Sequence, residues 1–240
     1  MKDLKPLAAL LVLASSPAAA PAQTGPTFVV PAGCEAFLTV QSRQCIVSHY
    51  WTCPAADPEG TFWRVSLDAD GPYYLSQSDE QYRWLRGFSL RSDGESTLVE
   101  PEPDPASLDE LFETGTDTMD FTLRRRDGGV EYDRTYTGFD RLTGASVVID
   151  GEELLLTEFA YRYNTEQGTN QASGNQFLSR DWRLFFGGIE TVTLPDGQIV
   201  EEDRSPREFI EPGEDGFLTM LPAYDCGDTM SLLTWPELSQ

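Results

Sequence analysis

SVVIDGEELLL, residues 146–156, decides the fold: two apolar runs flank the dipeptide Asp150-Gly151. Asp-Gly accepts the positive φ angles of a tight hairpin turn, because glycine has no Cβ and aspartate tolerates the left-handed region. The stretch therefore reads as two antiparallel strands joined by a tight turn. The same device recurs at Asp70, Asp93, Asp127, Asp196 and Asp215, each followed by glycine. TLRRR-DGG-VEYDRTY (122–136) and ETVTL-PDG-QIVEE (190–202) repeat the pattern around their turns. Turns about ten residues apart mark an antiparallel meander.

Between the turns the dominant period is two. Phe62, Arg64 and Ser66 alternate with Trp63, Val65 and Leu67; Tyr82, Trp84, Arg86 and Phe88 alternate with Arg83, Leu85, Gly87 and Ser89. Phe121 and Leu123 point one way, Thr122 and Arg124 the other. Such alternation belongs to strands with two different faces.

One helix is expected over PASLDELFETG, residues 105–115. Leu108, Leu111 and Phe112 share one side, and Pro105 and Gly115 punctuate its ends. It follows an acidic, Pro-rich spacer, VEPEPDP (99–105). TEQGTNQASGN (165–175) reads as the one long polar loop.

The expected fold is all-β and mainly antiparallel: a curved meander sheet or incomplete β-barrel of about 11–12 strands with one short helix packed on it. A single β-rich domain is expected over 23–240, with 23–33 and 236–240 loose. In outline this is similar to periplasmic lipid-carrier folds of the lipoprotein-chaperone type and to lipocalins, although the Gly-x-Trp start motif of lipocalins is absent.

Residues 1–22 read as a signal peptide. Lys2 and Lys5 precede an apolar run over 6–15, too short to span a bilayer, and Ala20-Pro21-Ala22 supplies the small residues of a cleavage site. An acylated anchor at Cys34 is the rival reading, but Cys34 lies far beyond the apolar run. Export to the periplasm or extracellular space follows, with no transmembrane segment expected. The chain has 17 basic and 40 acidic residues, a net charge of −23. Removing the leader leaves 15 basic and 39 acidic residues. Such a field repels phosphate-rich partners, so no nucleic-acid binding is expected.

Four cysteines, at 34, 45, 53 and 226, favour two disulfides in an oxidising compartment. If CIVSHYWTC (45–53) is one strand, its ends stand about 27 Å apart at ~3.3 Å per residue. A disulfide needs Cα atoms within about 7 Å, so Cys45 and Cys53 do not pair. Two connectivities stay open: Cys34–Cys45 with Cys53–Cys226, or Cys34–Cys53 with Cys45–Cys226. The second follows if QSRQ (41–44) is a hairpin turn.

His49, the one histidine, sits in strand register with Cys45 and Cys53. Free thiols there could hold a metal, but disulfides leave a single imidazole, and neither metal nor cofactor is expected. The sequence has no G-x-S-x-G, H-E-x-x-H, P-loop or G-x-G-x-x-G. Asp68-Ala69-Asp70-Gly71 resembles a calcium loop only faintly and reads as a hairpin turn. Carboxylates are too numerous to single out a catalytic pair.

The aromatic residues recur on successive strands and chiefly build a core, yet a curved sheet closed by a helix can enclose more space than its side chains fill. Trp63, Tyr82, Trp84, Phe88, Leu111, Phe112 and Trp182 are the candidate ligand-binding residues, with helix 105–115 as a lid. The expected function is a non-catalytic binding protein of the periplasm or cell envelope, taking a hydrophobic small molecule or a partner protein. A hydrolase using a carboxylate pair is the alternative, and a structural role the third.

Overall fold

The computed structural model describes residues 25–227. The expected leader (1–22) and tail (236–240) lie outside them. The elements are β1 (Glu35–Ser42), β2 (Ile46–Thr52), β3 (Phe62–Asp68), β4 (Gly71–Ser78), β5 (Trp84–Ser89), β6 (Glu95–Asp104), α1 (Leu108–Thr114), β7 (Thr116–Asp127), β8 (Val130–Ile149), β9 (Glu152–Thr165), β10 (Gly168–Ser179), β11 (Leu184–Thr193), β12 (Ile199–Asp203) and β13 (Pro206–Ile210).

The hairpin at 146–156 forms as its sequence dictates. Asp150 and Gly151 take φ values of 50° and 86°, and Ile149 pairs with Glu152 across the turn. At β7–β8 the turn is Gly128-Gly129, one residue later than the Asp-Gly step, again with positive φ at both positions. Asp215-Gly216 lies beyond β13 and joins no strands.

All twelve pairings are antiparallel, and β1 to β12 follow one another across the sheet in chain order. β13 returns to the free side of β1. The sheet thus has 13 strands, not 11–12: β13, five residues long, is too short for a clear alternation.

β12 and β13 are opposite edges of this sheet, yet only Arg204 and Ser205 separate them in the chain. That link spans about 10 Å at most, so the sheet must curl until its edges approach. The Arg204 N–H donates to the Gly188 carbonyl of β11 (2.9 Å), and the Ser205 carbonyl accepts from the Arg43 N–H just past β1 (3.0 Å). No ladder joins β12 to β13, so the barrel is incomplete.

The curl creates an inner face and an outer face. On the inner face Leu38, Tyr50 and Phe62 pack against Leu154, Leu184, Phe186 and Phe209, residues from distant strands of the same sheet. Each such side chain contributes about 1.5–3 kcal/mol by leaving water. On the outer face Val47, Trp51, Val65 and Leu67 form a second core. It is covered by Phe28, Val30 and Met220 from the two chain ends.

Three expectations change here. Residues 25–33 are not loose: the Phe28 N–H donates to the Leu218 carbonyl (2.8 Å), and the Phe28 ring stacks on His49 at 5.2 Å. Covering the outer apolar face of β2 holds this segment in place. Residues 165–175 are not a loop: β9 runs to Thr165, β10 starts at Gly168, and Thr169 to Gly174 pair with Asn164 to Phe159. A ladder between two long neighbours satisfies the backbone whatever the side-chain polarity. The Pro-rich spacer is the end of β6, whose register against β7 slips between Val99 and Asp104, because proline cannot donate to a ladder.

The cysteines pair as Cys34–Cys53 and Cys45–Cys226. Strand register decides this: Glu35 lies opposite Thr52, which sets Cys34 across from Cys53. Two disulfides accord with an oxidising, extracytoplasmic environment. No helix among the described residues is long and apolar enough to cross a membrane.

Candidate functional site

The inner face is not filled by its side chains. It leaves a trough of about 760 Å³, open to solvent and lined from β1 through β11. Serines at 48, 66, 76, 78 and 96 keep the β2–β6 wall shallow. Gly87 lets the Tyr74 hydroxyl and the Ser96 Oγ pack close against its backbone, where a Cβ would collide with both.

Trp84 is the focus of the aromatic lining. Its ring meets Phe121, Tyr136 and Tyr161 edge-on, at centroid distances of 5.5, 5.6 and 6.5 Å. It remains 38 % exposed, which marks it as facing the open trough and not a sealed core. The Tyr161 hydroxyl donates to Glu190 (2.8 Å), the one carboxylate in the lining.

Against that single acid the lining presents Arg64, Arg86, Arg125, Arg134 and Arg204. Arg64, Arg125 and Arg134 lie half-buried, and the Nε of each has no hydrogen-bond partner within the protein. Among the described residues none of these three forms a salt bridge. Their neighbours are phenols. Arg64 lies among Tyr50, Tyr74 and Tyr82; Arg125 among Tyr74, Tyr132 and Tyr136; Arg134 over the rings of Tyr163 (5.1 Å) and Tyr132 (5.7 Å). Burial raises the pKa of the Tyr50 and Tyr136 hydroxyls despite the adjacent guanidinium groups, so these phenols stay neutral.

The candidate ligand-binding residues divide between locations. Tyr82 and Trp84 line the trough. Tyr82 donates its hydroxyl hydrogen to the Phe185 carbonyl (2.8 Å) and stands between Phe62 and Phe185. Trp63 and Phe88 stack on each other at 6.3 Å beside the outer core, and the Trp63 Nε1–H donates to Asp57 (2.7 Å). A bulge causes the split: the β4–β5 register shifts between Gln77 and Ser78, so Trp84 and Phe88 face opposite sides despite their even spacing. Trp182 packs on Phe186 and Phe209 at the inner core.

Leu111 and Phe112 sit on α1, shorter than its expected span. Ser107 caps it by accepting from the Glu110 N–H, and Gly115 ends it at φ 85°. Leu108 and Leu111 pack on Leu178 and Phe185, and Phe112 lies under Arg180 (4.8 Å) and Arg183 (5.6 Å).

Beneath α1 is a second cavity of about 50 Å³, whose lining includes Asp117 and Asp140. Burial pushes Asp117 up to about 6, opposed by the Ser107 N–H that it accepts at 3.0 Å. Burial and the neighbouring Asp117 push Asp140 up to about 7. Arg83 also lines this cavity, but its guanidinium is bound to Asp79 and Glu102.

His49 is fully buried, with Nδ1 3.0 Å from the Thr39 hydroxyl, and burial lowers its pKa to about 4. It is a neutral core residue between disulfides. Among the described residues no group of three or more His, Cys, Asp or Glu could hold a metal ion.

The trough arginines are not among the residues expected at the site. Their signal was the position of Arg64 and Arg125 in the inward-facing series of Phe62 and of Phe121 and Leu123. No protein-family model, curated protein or solved structure matches this chain.

Proposed function

We propose that this chain is an exported, non-catalytic binding protein of the periplasm or cell envelope that carries a small molecule in its trough. The supporting observation is the trough itself: about 760 Å³, within the usual range of ligand sites, with Trp84 exposed on its wall. The two disulfides accord with export.

The carboxylate-pair hydrolase has less behind it. Asp117 and Asp140 make such a pair, but their cavity of about 50 Å³ has room for a few waters and not for a substrate.

Native mass spectrometry tests the carrier. The full chain is purified without detergent from an oxidising compartment. A co-purified small-molecule mass is the expected result. Its repeated absence, together with no uptake of added amphiphiles, overturns the reading, and a bound polypeptide would replace it with a partner-binding role.

A further inference from the structure

We propose that the trough's ligand is an amphiphile ending in an oxyanion, with its head on Arg64, Arg125 and Arg134 and its apolar body against Trp84. This rests on the carrier reading and adds the charge and chemistry of the ligand's head.

Strand β7 shows the contrast between inner and outer arginines. Arg124, Arg125 and Arg126 are consecutive, so period two sends the first and third outward and the second inward. The outward pair have carboxylate partners, Arg124 with Asp133 (3.0 Å) and Arg126 with Glu95 (2.7 Å). Arg125 has none. β8 repeats the arrangement: Asp133 points outward to Arg124, while Arg134 turns inward to phenols.

In a chain with 40 acidic and 17 basic residues, a carboxylate for each inner arginine was the easiest partner to supply. Withdrawing an unpaired guanidinium from water is costly. The neutral phenols beside these groups do not cancel their charge. Shared neighbours also set the three in sequence: Arg64 and Arg125 share Tyr74, and Arg125 and Arg134 share Tyr136. A guanidinium fork matches carboxylate and phosphate oxygens alike. A bare anion would leave most of the trough empty, while Trp84, Phe159 and Phe186 offer rings to an apolar body.

The test is isothermal titration calorimetry on the full, disulfide-intact chain. The probes are dodecanoate, dodecyl phosphate, dodecanol and dodecyltrimethylammonium, each below its micelle concentration. Both anions should bind, dodecanol about ten-fold more weakly or worse, and the cation weakest. Added salt should weaken the anions and leave dodecanol unchanged. Arg125→Gln and Arg134→Gln should each weaken dodecanoate about ten-fold with dodecanol unaffected. The better-bound anion identifies the head as carboxylate or phosphate. Dodecanol binding as tightly as dodecanoate, with no effect of salt, overturns the anionic head but leaves the carrier standing. No binding by any of the four overturns both. The salt and head-group arms use the unmodified chain, so they decide the matter even if a variant fails to fold.

Discussion

Asp117 and Asp140 stand directly opposite one another across the β7–β8 ladder, and neither forms a salt bridge among the described residues. Two carboxyl groups confined beside a small cavity hold their protons well above the range of free aspartate, at about 6 and 7.

The consequence is a defined pH window. The folded state binds protons at these sites that the unfolded chain releases near its ordinary aspartate pKa. Their contribution is therefore fully favourable below about pH 4 and is lost as pH rises through about 7. His49, lowered to about 4, acts in the opposite sense: its neutral form stabilises the fold above about 6.5, and that contribution is lost as pH falls towards 4. Asp140→Asn separates the two. Its stability, read from thermal melts, should match the wild type near pH 4 and exceed it increasingly up to pH 8, by on the order of 2 kcal/mol. A constant gap at all pH values would contradict the assignment.

The disulfides make unequal contributions. Cys45–Cys226 spans 181 residues and Cys34–Cys53 spans 19. In the chain-entropy description these correspond to about 5 and about 3 kcal/mol. Urea denaturation of Cys45→Ser/Cys226→Ser should show the greater loss, with Cys34→Ser/Cys53→Ser the smaller. Alkylation of the unreduced wild type should label no cysteine by intact mass.

Two glycines allow neighbouring strands to lie unusually close. A Cβ at Gly138 would run into the Ala160 carbonyl and Tyr161, and one at Gly174 into the Ile189 carbonyl. Backbone blocks both, so no side chain can swing aside. Gly138→Ala and Gly174→Ala should each cost about 1–3 kcal/mol. Gly87→Ala meets the Tyr74 hydroxyl and Ser96 Oγ instead. It should cost less stability and alter amphiphile binding, measured by thermal melts alongside calorimetry.

Trp84 and Trp63 offer a paired test of the site. Trp84 faces the trough, and Trp63 stacks on Phe88 outside it. Trp84→Ala should weaken dodecanoate about ten-fold. Trp63→Phe should leave that affinity unchanged, because its ring touches no part of the trough. Loss of binding in both would place the ligand elsewhere.

Much of the fold was legible in the chain. Asp150-Gly151 between two apolar runs specified a hairpin, because few dipeptides take positive φ at both positions. Leu108, Leu111 and Gly115 specified a short helix with one buried side, although it starts behind Ser107 and not at Pro105. The cysteine count specified two disulfides. The site was less legible, since Tyr82 and Trp84 were recognisable as aromatic strand residues but the arginines beside them were not.

What the sequence by itself determined was therefore local: strand period, turn chemistry, helix ends and the need for sulfur pairing. The tertiary structure alone decided which residues meet. A single bulge at Gln77–Ser78 put Phe88 outside while Trp84 stayed inside, because slipping register by one residue reverses every side chain beyond it. The two-residue link at Arg204-Ser205 drew the sheet's edges together and turned one face into a trough. Only that curl gathers Arg64, Arg125 and Arg134, which lie up to 70 residues apart in the chain. Spatial convergence of this kind depends on the sum of twist, bulge and closure across many strands, and no local window of residues carries that sum.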